Sequence, residues 1–156
     1  MEKTLIVYYS KSGNTKCVAQ RISEMVRGDL HEVNMKKSNT SDLGDMLRLW
    51  LDPVLPFENV SDGQLIKLYD YDHVYIGTPV WGLTYALPIK EFIQANDFTD
   101  MKVSLFATHD GGLGNTLKAM SKKITNGQVV KVLDILSCDC RNEDVLNQHL
   151  SNWMMA

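Results

Sequence analysis

Strand-like and helix-like segments alternate five times along this chain, and no other feature restricts its fold so strongly. Five runs rich in β-branched and aromatic residues read as strands: Leu5–Tyr9, Leu30–Met35, His73–Thr78, Val103–Thr108 and Val129–Leu136. Each is followed by apolar residues at helical spacing. These are Val18, Ala19, Ile22, Met25 and Val26; then Leu43, Met46, Leu47, Trp50 and Leu51; then Ile89, Phe92 and Ile93. Leu113, Leu117, Met120 and Ile124 follow the fourth strand, and Leu146, His149, Leu150 and Trp153 the fifth. Pro88 suits a first helical turn, and Asn142-Glu143-Asp144 caps and charges the start of the last helix. Pro79 is expected to close the third strand, and the weakly apolar second strand reads as a sheet edge. Such alternation demands a parallel sheet with right-handed crossovers and helices on both faces, an α/β three-layer sandwich.

The 156 residues suit one domain, residues 1–156, with a sizeable core, and 44% apolar with 22% charged residues is an ordinary globular composition. A net charge of −3 without a basic patch argues against nucleic acid as the main partner. No apolar run reaches bilayer length and residues 1–25 show no signal-peptide core, so a cytoplasmic protein without membrane insertion is expected. The three cysteines, Cys17, Cys138 and Cys140, suit a reducing compartment. With four scattered histidines they complete no metal site, and they read as structural or incidental. Asp52–Tyr71 follows no period and contains Pro53 and Pro56, a length of loop that is often functional. The stretch Asp42–Asp72 carries seven acidic residues against Arg48 and Lys67, most simply a solvated face.

The turn between the first strand and the first helix holds the chemistry. Ser10-Lys11-Ser12-Gly13-Asn14-Thr15 places three hydroxyls, an amide and one glycine before a helix. A helix start offers unpaired N–H groups and the positive end of the macrodipole, which suit an anion. Gly13 permits a tight turn, and Ser10, Ser12 and Thr15 are able to donate to phosphate oxygens. The same residues also suit an ordinary capped turn. The ending is not that of an ATP-type phosphate loop. Gly13 is also the only glycine before Gly28, which excludes a three-glycine dinucleotide loop here.

Ser-x-Ser-Gly-Asn-Thr directly after a first hydrophobic strand resembles the phosphate loop of the flavodoxin and flavodoxin-like FMN-binding family. Thr78-Pro79-Val80-Trp81-Gly82 resembles that family's flavin-flanking loop, and Phe106-Ala107-Thr108 followed by Gly111-Gly112 resembles its fourth-strand loop. The resemblance implies a five-stranded parallel sheet in order 2-1-3-4-5, with ligands bound beyond the carboxyl ends of strands one and three. It implies FMN held by Ser10–Thr15, by Thr78, Pro79, Val80, Trp81 and Gly82, and by Thr108, His109, Asp110, Gly111 and Gly112. Trp81 would stack on the isoalloxazine, and a peptide flip at Gly82 would offer a carbonyl to the flavin N5–H on one-electron reduction. Lys11 departs from the neutral donors usual in that loop, and either strengthens phosphate binding or points into water. The second flavin face is left to Tyr85, Phe57 or the 52–71 segment, or open to substrate. His109 and Asp110 read as a surface turn pair, with an electrostatic role second.

The resemblance implies an electron carrier between a flavodoxin reductase and an acceptor enzyme, with no catalytic residue of its own. The alternative is an FMN-dependent oxidoreductase acting directly on a quinone, tetrapyrrole or similar planar substrate. A non-redox interaction module without cofactor is a third reading, which the intact Ser10–Thr15 loop opposes.

Overall fold

The computed structural model describes residues 2–34 and 66–155. In chain order its strands are β1 (Thr4–Tyr8), β2 (Asp29–Glu32), β3 (His73–Trp81), β4 (Thr84–Tyr85), β5 (Lys102–His109) and β6 (Gln128–Leu136). Its helices are α1 (Asn14–Val26), α2 (Leu87–Ala95), α3 (Thr116–Lys123) and α4 (Glu143–Met155). Five strands pair in parallel in the order β2-β1-β3-β5-β6, and β4 pairs antiparallel with the end of β3. The expected 2-1-3-4-5 order therefore holds for the parallel strands, while the two-residue β4 is an addition that no sequence period announces. The expected helix around Leu43–Leu51, and the irregular stretch up to residue 65, lie outside the described residues.

Strand side chains alternate between two cores. Leu5, Val7, Val74, Ile76, Val103 and Leu105 pack on one face with Ile89 and Phe92 of α2 and Leu117 and Met120 of α3. Ile6, Tyr8, Tyr75, Phe106 and Ile135 pack on the other with Val18, Ala19 and Ile22 of α1 and Leu146, Leu150 and Trp153 of α4. Burial on both faces is why β1, β3 and β5 read as unbroken apolar runs. The apolar run of β6 has a different fate: at the sheet edge it leaves Val132 50% exposed.

Local signals place the helices. Pro88 sits in the first turn of α2, and the Asn142 side-chain oxygen accepts from the Val145 N–H at 3.3 Å at the start of α4. α3 begins at Thr116, so Leu113 stays in the preceding loop. β3 runs on through Pro79, which had been expected to end it. Pairing with β1 stops at Gly77, so the missing N–H interrupts no β1 ladder, and Val80 and Trp81 then pair with Tyr85 and Thr84.

Candidate functional site

The chain leaves β1 for β2 on one side and returns to β3 on the other, so the sheet order switches between β1 and β3. Crevices at the carboxyl ends of such strands are the ligand sites of open α/β sheets. Three loops meet there.

The first is Ser10–Thr15. Gly13, which has no side chain of its own to offer, caps α1 in the left-handed region at φ 91°. A Cβ built on Gly13 meets nothing within 4 Å, so the space over the turn is open to an anion. Ser10 Oγ accepts the N–H groups of Gly13 at 3.1 Å and Lys16 at 3.2 Å, which makes this hydroxyl the internal brace of the loop. Lys11 and Ser12 are exposed, and Asn14 is half-buried. Thr15 is buried, and its hydroxyl lies 2.7 Å from the Thr108 hydroxyl, tying the loop to the end of β5. Beside the loop, Tyr8 donates to Glu32 at 3.0 Å, and Lys16 reaches the same carboxylate at 3.2 Å. Burial, then the Glu32 carboxylate, pushes the Tyr8 phenol up to about 12.

The second loop is the β3–β4 hairpin. Gly82 (φ 53°) and Leu83 (φ 66°) are both left-handed, as a two-residue hairpin turn of matching twist requires. Trp81, half-buried, receives Tyr9 edge-on at 5.4 Å and the Lys11 ammonium at 5.6 Å from its ring centre. Lys11 thus spans from the anion loop to the aromatic. Thr78 faces inward: its hydroxyl accepts the Ala86 N–H at 3.0 Å and donates to the Pro79 carbonyl at 2.9 Å. Pro79 and Val80 are half-buried in the hairpin stem. Tyr85, a candidate cover for the flavin, is instead 5% exposed in the core, and Phe57 lies outside the described residues.

The third loop follows β5. Asp110, Gly111 and Gly112 are exposed. His109 does not pair with Asp110: its Nδ1 accepts the Gly111 N–H at 3.1 Å, and its Nε2 faces Asp134 of β6 at 3.4 Å. The acceptor role of Nδ1 puts the proton of a neutral ring on Nε2. Sequence reasoning missed two further residues. Leu83 lies over Gly114, where a Cβ would come within 2.5 Å of the Leu83 carbonyl oxygen, so only glycine admits the hairpin there. No local sequence signal joins those two positions; only Gly114, as a third glycine in its run, hints at a close approach.

Hydroxyl, ammonium–aromatic and backbone contacts thus join each loop to the other two. A helix start with open space over its glycine turn, beside an aromatic hairpin and a glycine loop, suits a phosphate attached to a planar heterocycle. Among the described residues no group of histidine, cysteine or carboxylate side chains is arranged to hold a metal, and no helix is long and apolar enough to cross a membrane.

The flavodoxin family model matches residues 3–155. The chain belongs to the flavodoxin family. It is 28% identical over 133 residues to "Probable flavodoxin 2" of Bacillus subtilis (strain 168), covering 79% of this chain and 74% of that one. A flavoprotein of Lactobacillus acidophilus NCFM, solved in complex with FMN, shares the fold with a TM-score of 0.71 at 22% identity, covering 99% of each chain. Oxidised flavodoxin 1 of Bacillus cereus superposes with a TM-score of 0.60 at 16% identity, over 97% of this chain and 95% of that one. Flavodoxin-family membership accounts for the sheet order and for the position of the three loops at its switch point.

Proposed function

We propose that this flavodoxin-family chain binds FMN where the three loops meet and carries electrons in the cytoplasm between a flavodoxin reductase and an acceptor enzyme. The observation that carries the reading is the open space over the Gly13 turn at the start of α1, a turn tied through Thr15 to Thr108 and through Lys11 and Tyr9 to Trp81. Backbone N–H groups of this turn, with Ser12 and Asn14, would hold the phosphate, and Lys11 adds positive charge. Ser10 and Thr15 keep the turn in shape. Trp81 would flank the isoalloxazine, with Gly82 and the backbone of Thr108–Gly112 along its edge. FMN supplies the redox chemistry when bound, and the residues of this chain bind it, orient it and limit its contact with water. FMN in the Lactobacillus relative supports this choice of cofactor. Gly111-Gly112-Leu113-Gly114 does not make a dinucleotide loop, because Leu117 stands at the place of its third glycine, and this favours electron delivery by a partner protein over direct use of NAD(P)H.

Binding is tested by titrating the apoprotein with FMN and with riboflavin, with Trp81→Ala alongside. FMN should bind far more tightly than riboflavin, and Trp81→Ala should restore flavin fluorescence. Equal affinity for the two flavins would remove the phosphate assignment. The carrier role is tested by anaerobic reduction: NAD(P)H alone should reduce the loaded protein negligibly, and addition of a flavodoxin reductase should make reduction rapid. Fast turnover with NAD(P)H and a quinone by the protein alone would replace the carrier with the oxidoreductase.

A further inference from the structure

Beside the Ser10–Thr15 loop, whose Asn14 is part of the lining, α1 and the turn between β6 and α4 form a groove of about 420 Å³ that carries Cys17, Cys140, Arg21 and Arg141, with Glu24 and Glu143 among them. Cys17 is exposed on the first turns of α1, and Cys140 is buried in the three-residue turn Asp139–Arg141. The Cys17 Sγ lies 3.3 Å from the Cys140 carbonyl oxygen, so the two residues meet although they are far apart in the chain. Cys138, also exposed, is not part of the groove lining.

We propose that Cys17 and Cys140 form a thiol-modification site for oxidised low-molecular-weight thiols, in which Cys17 takes the adduct and Cys140 resolves it. The two sulfurs differ in access, as such a division of labour requires. Cys17 is the thiol that a disulfide in solution reaches. The Cys140 thiol is buried, and burial, then the charge of Cys17, pushes it up to about 11, so it is the less reactive of the two toward a disulfide in solution. Arg141, exposed along the groove, offers charge to the carboxylates of a peptide-type disulfide such as oxidised glutathione. Arg21 is already held by Glu24 and Asn147, which leaves recognition chiefly to Arg141. The Cys140 thiol is buried in the core between α1 and α4 and donates to the Leu136 carbonyl at 3.5 Å, so it must leave that bond to reach Cys17; the turn that carries it is closed by short-range bonds, Arg141 N–H to Cys138 O and Asn142 N–H to Asp139 O.

The chemistry balances in two exchanges. The Cys17 thiolate attacks one sulfur of the external disulfide, whose S–S bond breaks as the mixed disulfide forms and one thiolate leaves to take up a proton. Cys140 then gives up its proton to solvent and attacks the Cys17 sulfur, and the second external thiolate leaves. Two protein thiols have lost two electrons and two protons, and one external disulfide has become two thiols.

The test treats the reduced full-length chain with oxidised glutathione without air, followed by intact mass measurement and peptide mapping. The expected result is a mass lower by two hydrogens, a linked Cys17–Cys140 peptide, and a Cys138 that still alkylates. Cys140→Ser, or Cys140→Ala if the serine variant does not fold, should stop at a single glutathione adduct on Cys17. Cys17→Ser should leave Cys140 unmodified in the folded protein. Persistence of the adduct on Cys17 in the wild type would overturn the proposal. A linked peptide containing Cys138, or reaction at Cys138 in place of Cys17, would overturn it as well.

Discussion

Gly77, in the middle of β3, offers a stringent test of the core beneath the site. A methyl group built on its α-carbon would lie 2.1 Å from Phe106 Cζ, 2.3 Å from Cε2 and 2.7 Å from Cε1. To restore an ordinary contact of 3.4 Å the ring would have to retreat by about 1.3 Å in a close-packed interior. Phe106 is fully buried in the cluster with Ile6, Val18 and Ile135, so the ring has no solvent to move into. Overpacking of this kind costs about 1–3 kcal/mol, and the gain of about 0.4–1 kcal/mol from replacing glycine in the unfolded chain offsets part of it. Gly77→Ala should therefore lose roughly 1–2 kcal/mol. All three clashing atoms are ones that leucine lacks. Phe106→Leu alone should cost roughly 1–2 kcal/mol for the cavity it leaves. In the double variant the added methyl occupies part of that cavity, so the loss should fall below the sum of the single losses by about 1–2 kcal/mol. Urea unfolding of the four proteins, with midpoints and slopes fitted separately, measures the coupling. Additive losses, within about 0.5 kcal/mol, would refute the steric argument.

Thr15→Val should cost about 1–3 kcal/mol, because it leaves the Thr108 hydroxyl buried without its 2.7 Å partner; adding Thr108→Val should recover much of that loss in the same unfolding assay. His73 stacks on Tyr75 at 4.4 Å with Nε2 2.9 Å from the Ser104 hydroxyl, and burial holds its pKa below the ordinary value, with Glu2 opposing and Lys102 and Lys131 reinforcing. The unfolded chain then takes up the proton first, so stability should be level above about pH 6.5 and fall as pH drops from there through the lower folded pKa. His73→Asn should flatten that fall in pH-dependent thermal unfolding. Lys131 Nζ donates to the carbonyls of Trp153 at 3.2 Å and Met154 at 2.7 Å, closing the end of α4. Lys131→Met should cost about 1–2 kcal/mol and speed amide exchange in the last turn of that helix.

Much of the fold was legible because its signals are local. The apolar run of β1, the 3.6-residue period of α1, Pro88 at the head of α2 and Asn142 at the head of α4 each act within a few residues of chain. Strand–helix alternation with right-handed crossovers leaves few parallel sheets to choose from, and the resemblance of the first turn to the flavodoxin phosphate loop selected the order among them. The Ser10–Thr15 turn was legible as a strand-to-helix turn for the same reason, while its reading as a phosphate loop came with the family resemblance. What tertiary structure decided was which distant groups face each other. His109 turned to Asp134 and Gly111 and not to neighbouring Asp110, because parallel pairing of β5 with β6 brings Asp134 to that end of the sheet. The partner of the Thr15 hydroxyl, the Thr108 hydroxyl, comes from across the β1–β3–β5 register, and no local signal names it. Pro79 reads as a stop yet sits inside β3, since only the sheet determines whether a missing N–H falls where a partner strand needs it. Periodicity records which way a side chain points, and the register between strands far apart in sequence sets what it meets there.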